Sequence, residues 1–449
     1  MREKLQNNSI LKVILIMGLP PIISMLIQSL YSIVDGIFVA GVSDNAFNAI
    51  SYAYPITNLT LSVAVGFGVG LNSVMSRALG SNDLERVKKT ANHFFLFSVV
   101  HYLIFIILGL TLIPFFFSWF TTNEEIISDG KIYLNILLFT CIGQLLHISI
   151  EKIFQAHGHM LVPMIAQGLG CVVNIILDAV MIYVFKWGIA GAAIATVIGQ
   201  FSSFIYIFIM AIKHKYIDVN FNLFKVKKNI IVDVYKVGIP STILCALVSI
   251  LTLILNFILK DYGDDYVQIL GVYFKLQAFI YMPANGMIQG IRPILGFLYG
   301  EENSLKLNEG IKEGMKILLV FTVVGTILFL SIPQFLMMPF ASKPLVISNG
   351  SIALRIICIG FIPSSVSLMF TSLYESIGYG IESLIISLSR QLVLPIIYIV
   401  LAIYVFKGDY LQVWISFPVA EILSSIISVV IYKVSKKKNV ILSGKEVLE

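Results

Sequence analysis

Charged residues are scarce in this sequence. They make up 12% of its 449 residues, whereas 58% are hydrophobic. Soluble domains carry about 25% charged residues, so the composition excludes a soluble globular protein, and the mean hydropathy of +0.91 indicates an integral membrane protein. No signal-peptide cleavage site follows the polar start MREKLQNNS. We therefore expect the first apolar segment to be retained as a membrane helix.

The sequence also has few cysteines, and it lacks metal-binding and nucleotide-binding motifs. The four cysteines (Cys141, Cys171, Cys245 and Cys358) lie inside apolar segments without metal-ligand spacing, and we interpret them as core thiols. The sequence shows no His/Asp/Glu cluster of the catalytic-metal type, which argues against a membrane-embedded enzyme, and no Walker motif for direct ATP drive. We predict no enzymatic activity and no cofactor.

About twelve apolar segments follow one another, with short polar breaks and no soluble domain between them. Each is long enough to cross a bilayer as a helix. We predict an all-α integral membrane protein with twelve transmembrane helices. The longest polar break should be a cytoplasmic linker at 213–235, between an N-terminal lobe (1–212) and a C-terminal lobe (236–434), with a cytoplasmic tail at 435–449.

Lysine and arginine are concentrated on one side of these segments, for example at Arg77, Arg86, Lys225, Lys227 and Lys436. Such residues mark cytoplasmic loops, so we expect both termini in the cytoplasm. The net charge of +6 is then a signal of topology, and no nucleic-acid partner is predicted.

The two halves of the chain repeat each other. Because each half has six segments, both should insert with the same orientation, as in transporters whose parallel lobes bind substrate between them and work by alternating access. Four matches at one nearly constant spacing, in the same order along the chain, support the repeat: Gly18-Leu19-Pro20 with Gly238-Ile239-Pro240, Gly70 and Gly80 with Gly290 and Gly300, Ala156-x-Gly158 with Ser376-x-Gly378, and Ile182–Lys186 with Ile403–Lys407.

Two aspartates lie deep inside apolar segments of the first half. Asp178, in NIILDAVMI, costs roughly 2.5–3.5 kcal/mol to insert near the middle of a membrane helix. Asp35, Asp178 and Thr196 lie about seven or eight residues from the outer ends of segments one, five and six, or roughly 12 Å deep. Asn174 shares the helical face of Asp178, and Tyr133 opens segment four on the outer side.

These carboxylates indicate a cation site. Ionised and unpaired, they would be very unfavourable in an apolar bundle. They can share a proton, or bind Na+ together with the neutral oxygens of Asn174 and Thr196. Either way the site loses charge on taking up a cation, so an ion gradient could act through it. The alternative is that each aspartate caps a helix break or bonds a neighbouring backbone group. At the positions equivalent to Asp35 and Asp178, the second half has Leu255 and Tyr398 (Ile399 if the shift is 221).

Several stretches of the sequence carry a resemblance to a known family. They are the second-half glycines and GLPPIISMLIQSLYSIVDGIFVAGV, GVGLNSVMSRALGSND, FQAHGHMLVPM and NIILDAVMIYVFKWGIAGAAIAT. Essentially the whole chain resembles the multidrug and toxic compound extrusion (MATE) transporters, near the bacterial multidrug branch that includes DinF-like proteins. The resemblance implies two six-helix lobes around a V-shaped cavity, and export of organic cations or drugs in exchange for Na+ or H+. It further implies the bacterial inner membrane as location, and we expect a monomer.

The resemblance also assigns site residues. In that family the first lobe binds a cation through an aspartate on helix one, an Asn-x3-Asp on helix five and a threonine on helix six. A helix-four tyrosine lies nearby. The matching residues here are Asp35, Asn174, Asp178, Thr196 and Tyr133. No metal is expected beyond Na+ at these positions. Some members carry an acidic residue on helix seven, where this chain offers only Asn256.

The second half has further charges inside apolar segments. Lys275 and Glu421 lie at similar depths, so we expect an ion pair, with a substrate or proton role for Glu421 as the alternative. Arg390 lies deeper on segment eleven without an evident partner. Glu151 and Lys152, near the inner end of segment four, are expected to reach the interface by snorkelling.

Three rival functions remain at this point. A lipid-linked saccharide flippase of a related superfamily has similar size and topology, and basic residues lining its cavity would favour it. A membrane-embedded enzyme would require a nucleophile or metal cluster at one depth. A passive channel would not require a carboxylate pair in one lobe only.

Overall fold

The computed structural model describes residues 1–217, 227–340 and 343–438. Within these ranges the chain forms helices joined by short turns, and no strand occurs. The α-helices are α1 (Arg2–Asn7), α2 (Ile10–Ala40), α3 (Asp44–Gly80), α4 (Leu84–Phe116), α5 (Glu124–Thr140), α6 (Ile142–Ala156), α7 (Leu161–Asp178), α8 (Gly188–Lys213), α9 (Lys228–Lys260), α10 (Asp264–Gly300), α11 (Ser304–Ser331), α12 (Pro333–Met337), α13 (Pro344–Ile357), α14 (Phe361–Ile377), α15 (Gly380–Leu388), α16 (Leu394–Ile399) and α17 (Leu411–Lys437).

Length and apolar character identify the membrane spans. In the described residues, ten helical stretches are long and apolar enough to cross a membrane, and α5 with α6, bent by 47° at their junction, adds an eleventh. Helix α10 is not among these apolar stretches, but its 37 residues exceed the roughly 20 that a bilayer requires, and we assign it as the twelfth span by its length. The predicted all-α integral membrane fold is confirmed.

Polar residues in the short breaks start the next helix. Asp83 Oδ1 accepts the Arg86 N–H at 2.9 Å at the start of α4, and Asn303 Oδ1 accepts the Lys306 N–H at 3.0 Å at the start of α11. Such caps satisfy amide donors that a helix cannot satisfy itself. These two caps are equivalent in the repeat, because Asn303 lies three positions after Gly300 just as Asp83 lies three positions after Gly80.

The two halves also share backbone irregularities. A π-helical segment at Ala179–Val184 returns at Val400–Val405, with the same spacing as the sequence repeat that overlaps it. Residues with left-handed φ recur in the same way, pairing Asn82 with Glu302, Gly158 with Gly378, and Lys186 with Lys407. Because such conformations are uncommon outside glycine, their recurrence extends the repeat from sequence to conformation.

The chain forms two compact units, Met1–Gly18 with Ile243–Glu449, and Leu19–Thr242. Their boundaries lie within α2 and α9, beside the repeated prolines Pro20 and Pro240, where a helix loses one backbone hydrogen bond. Helix α1 and the first turns of α2 therefore belong to the unit that contains most of the second half of the chain. Within that unit, a Cβ on Gly290 would lie only 2.6 Å from the Gly18 nitrogen, and Lys306 Nζ donates to the Leu5 carbonyl at 3.2 Å.

These boundaries differ from the predicted ones at 212 and 236. Much of the predicted linker is helical, since α8 extends to Lys213 and α9 begins at Lys228. Residues 218–226 of that linker and 439–449 of the predicted tail lie outside the described residues. The start of α9 was not predicted because its first residues are basic and were assigned to the linker. The first turns of α9 pack on the first half, where Arg86 pairs with Asp233.

Candidate cation-binding site

Close packing of α7 against α8 positions the first part of the site. A Cβ at Gly199 would lie 2.8 Å from the Gly170 carbonyl oxygen and 2.9 Å from the Asn174 Cβ, so only glycine fits there. Ser203 Oγ donates to the Ala166 carbonyl at 2.9 Å. This close approach brings Asn174 to Thr196, and the Asn174 Nδ2 group donates to Thr196 Oγ1 at 3.4 Å.

Asp178 is the last residue of α7, immediately before the π-helical segment. The wider helix is visible in the 3.0 Å bond from the Phe185 N–H to the Val180 carbonyl, five residues back. Segments of this kind are frequent at functional sites, because the inserted residue changes the direction of neighbouring side chains. The Asp178 side chain is completely buried.

Asp35, on α2, and Asp178 lie close enough for their carboxyl groups to interact. Both are acceptors when ionised, so they can bond only through a shared proton or a cation. Among the described residues no donor reaches Asp35 Oδ1, either carboxylate oxygen of Asp178, or Asn174 Oδ1. Four buried oxygens without donors are costly, and a bound cation would satisfy them.

Two tyrosines complete the surroundings. The Tyr31 hydroxyl lies 3.4 Å from Thr196 Oγ1, and the buried Tyr133 ring lies close enough to interact electrostatically with both aspartates. The structure therefore brings together all five residues predicted for this site. Tyr31 was missed, although it precedes Asp35 by four residues and so lies one helical turn away on the same face.

The donor set suits a small hard cation. It consists of two carboxylates and the neutral oxygens of Asn174 and Thr196, which fit Na+ or a proton rather than a soft transition metal. In the described part of the chain, no group of three or more His, Cys, Asp or Glu residues is arranged to hold a metal ion.

The predicted ion pair between Lys275 and Glu421 is wrong. Glu421 pairs with Arg390, whose Nε donates to both carboxylate oxygens at 2.8 Å, and the guanidinium carbon lies 5.4 Å from the centre of the Tyr281 ring. Lys275 is exposed, and its Nζ lies over the Phe340 ring instead. Glu421 is therefore the partner of Arg390, which the estimated depths of the side chains in the membrane did not identify. Asn256, on α9, is half-buried.

The expectation that Glu151 and Lys152 snorkel to the interface is also wrong. Lys152 is 4% exposed, and its Nζ donates to Glu151 Oε1 at 2.8 Å and to Gln155 Oε1 at 3.1 Å. The amide of Asn72 donates to the Lys152 carbonyl at 3.1 Å. The second half has an ion pair at the equivalent place, between Arg292 and Glu375 at 2.6 Å.

The comparison with family models decides the affiliation. The MatE model matches residues 20–180 and 240–401, once in each half. This chain belongs to the MATE family of transporters. It is a multi-pass membrane transporter and not an enzyme, and multidrug efflux is the activity of this family.

Curated relatives and solved structures agree with the affiliation. The chain is similar to the multidrug export protein MepA of Staphylococcus aureus strain MRSA252, at 23% identity over 95% of this chain and 94% of the relative. MepA of Staphylococcus saprophyticus is also 23% identical, with the same shares covered. An outward-facing multidrug resistance MATE transporter of the MOP superfamily matches with a TM-score of 0.89 at 23% identity, over 96% of this chain and 97% of the other. A MATE crystal structure in the bent conformation matches with a TM-score of 0.90 at 23% identity, over 97% and 98%. At this identity the solved structures show the fold alone.

Proposed function

We propose that this MATE transporter is an antiporter that exports amphipathic, mainly cationic organic compounds from the cytoplasm in exchange for Na+ or H+. The supporting observation is the pairing of the buried Asp178 with the half-buried Asp35, where four buried oxygens lack a donor among the described residues. A site of this kind gains stability on binding a cation and loses it on release. Cation binding can therefore shift an equilibrium between two conformations of the transporter. The size of the shift is set by the difference in cation affinity between these conformations.

In this proposal each residue has a separate role. Asp35 and Asp178 supply the negative charge, and uptake of a cation removes their mutual repulsion. Asn174 and Thr196 offer neutral oxygens, and the Tyr31 hydroxyl holds the Thr196 side chain in place. Because α2, α7 and α8 each contribute a side chain, a change in the charge of the site alters how these three helices pack.

We further propose that both termini are cytoplasmic and that the membrane is the bacterial inner membrane. The motive is the concentration of lysine and arginine on one side of the spans. A green fluorescent protein fused to either end, which fluoresces only when it stays in the cytoplasm, tests the orientation. Dark fusions of a correctly inserted protein would argue for the opposite topology.

Ion-driven dye transport tests the function. Wild-type protein in vesicles should move ethidium under a Na+ gradient alone or under a pH gradient alone, and expression in an efflux-deficient bacterium should lower ethidium accumulation. Asp178→Asn and Asp35→Asn preserve shape and remove one charge. Each should insert normally but abolish the coupled transport, and the double variant should be no worse than either.

Asp83→Asn is the matched control, because asparagine also caps α4 and the charge removed lies outside the site. It should transport as the wild type does. If Asp178→Asn pumps at the wild-type rate, the aspartate is structural. If no cationic dye of a broad panel is moved although the protein is inserted, a lipid-linked saccharide flippase becomes the better hypothesis.

A further inference from the structure

An apolar crevice of about 460 Å³ opens between α10 and α11. Every residue that lines it is apolar, and Phe279, Val324 and Leu328 expose 65%, 51% and 43% of their surface. The helices touch at Gly325, where a Cβ would lie 2.7 Å from Ile280 Cγ2. The volume falls within the roughly 300–1,000 Å³ of sites that bind small ligands. The crevice can hold one slender apolar group.

Helix α12 and the residues up to Phe340 contribute Phe335, Leu336, Pro339 and Phe340 to the lining of the crevice. The Gln268 Nε2 group donates to the Phe340 carbonyl at 3.3 Å, and Lys343 Nζ donates to Asp265 Oδ1 at 2.7 Å. These contacts join Phe340 and Lys343 to the first turns of α10. Phe340, which lines the crevice, is therefore held beside the N-terminal end of α10.

A positive charge lies at the same end. Lys275 Nζ is 5.8 Å from the centre of the Phe340 ring. Side chains of a helix tilt toward its N-terminus, which brings this ammonium from its position on α10 back toward the interface. Lys275 is exposed, and no carboxylate in the described ranges forms an ion pair with it. The crevice thus has a cation at its mouth and an apolar wall below.

We propose that the crevice binds an anionic phospholipid, with one acyl chain between α10 and α11 and the phosphate on the Lys275 ammonium. This arrangement matches the order of charge and hydrocarbon in the lipid and supplies the anion that Lys275 lacks. An amphipathic cation would meet repulsion from Lys275. A zwitterionic lipid brings an ammonium group of its own, which weakens the attraction.

Native mass spectrometry of the purified full-length protein tests the proposal. The protein is titrated with phosphatidylglycerol and with phosphatidylcholine of the same acyl chains. Wild-type protein should retain one phosphatidylglycerol with higher affinity than phosphatidylcholine. Lys275→Gln should bind phosphatidylglycerol about fivefold more weakly, the loss expected for one lysine near a headgroup. Val324→Trp, which fills the crevice from its exposed side, should lose both lipids.

Lys260→Gln is the matched control, since Lys260 is an exposed lysine at the end of α9, away from the crevice; its lipid affinities should equal those of the wild type. Leu328→Trp replaces Val324→Trp if the latter fails to fold. Equal binding of the two lipids, or unchanged binding in Lys275→Gln, overturns the proposal. So does an ethidium titration in which the dye binds wild type and Lys275→Gln but not Val324→Trp, because the crevice would then take cations. The readout is binding, so it is independent of ion-driven transport.

Discussion

The Arg390–Glu421 pair offers a quantitative test of the second half. Arg390 lies on a π-helical segment, Ser389–Val393, between α15 and α16, and Glu421 lies on α17. Their side chains are only 10% and 14% exposed. We predict that Arg390→Met or Glu421→Gln alone strongly destabilises the protein, and that the double variant recovers most of the loss, because each single change leaves one charge buried without a partner.

The geometry sets the magnitude. Two unit charges about 4 Å apart attract by about 4 kcal/mol at an effective dielectric constant of about 20. Measured losses on breaking a buried pair are of similar size, about 3–5 kcal/mol, and replacing both partners is often close to neutral. The 2.8 Å bonds to both oxygens of Glu421 place this pair in that class. An exposed pair would contribute roughly 0–1 kcal/mol.

Thermal and denaturant unfolding in detergent measures the effect, followed by tryptophan fluorescence for wild type, both single variants and the double variant. The control is Lys343→Met with Asp265→Asn, a pair at 2.7 Å whose side chains are 68% and 26% exposed. That cycle should give a coupling below about 1 kcal/mol. Additive losses at Arg390 and Glu421 would refute the reasoning, because they would mean that neither residue depends on the other.

Two further predictions concern the first half. Gly199→Ala should lower the melting temperature and impair ion-coupled transport, because the added Cβ would press on Asn174. Gly168→Ala is the control, since its Cβ would have no neighbour nearer than 3.8 Å. It should leave transport unchanged and the melting temperature unchanged or slightly raised. Burial lowers the pKa of His157, in the turn after α6, to about 4. The unfolded chain then binds the proton more readily, so stability should fall as the pH drops from about 6.5 to 4, by up to about 3 kcal/mol. His157→Gln should flatten this dependence in melts across that range, and an equally steep curve for the variant would assign it to other groups.

The first-half site was predictable from sequence because its residues satisfy two simple constraints. Asp35, Asp178 and Thr196 lie at one depth, and Asn174 lies one turn from Asp178 on the same face. A buried carboxylate in an apolar segment requires a neutralising cation. A second carboxylate at the same depth, with neutral oxygens beside it, makes a site that can hold one. The glycine contact between α7 and α8, which sets the distances, could not be predicted, because it depends on which faces of the two helices meet.

The error at Lys275 has a physical cause. Counting residues from a helix end gives the depth of a side chain but not its direction around the helix axis. Lys275 and Glu421 have similar depths, yet Lys275 is exposed on α10, while Glu421 meets Arg390 from the π-helical segment. Such a segment also changes the helical phase, which a regular period of 3.6 residues does not anticipate.

The repeat finally separates the two halves by how their buried charges are compensated. Both carry the same π-helical irregularity, but Asp178 precedes it in the first half and Ile399 in the second. The second half neutralises its glutamate with a permanent cation, Arg390, so no ion from solution is needed there. In the described part of the first half, no arginine pairs with Asp35 or Asp178. It follows that the Arg390→Met, Glu421→Gln double variant should still transport in response to an ion gradient, whereas Asp178→Asn should not. A double variant that is folded but uncoupled would place ion sensing in the second half as well, and the asymmetry argument would then fail.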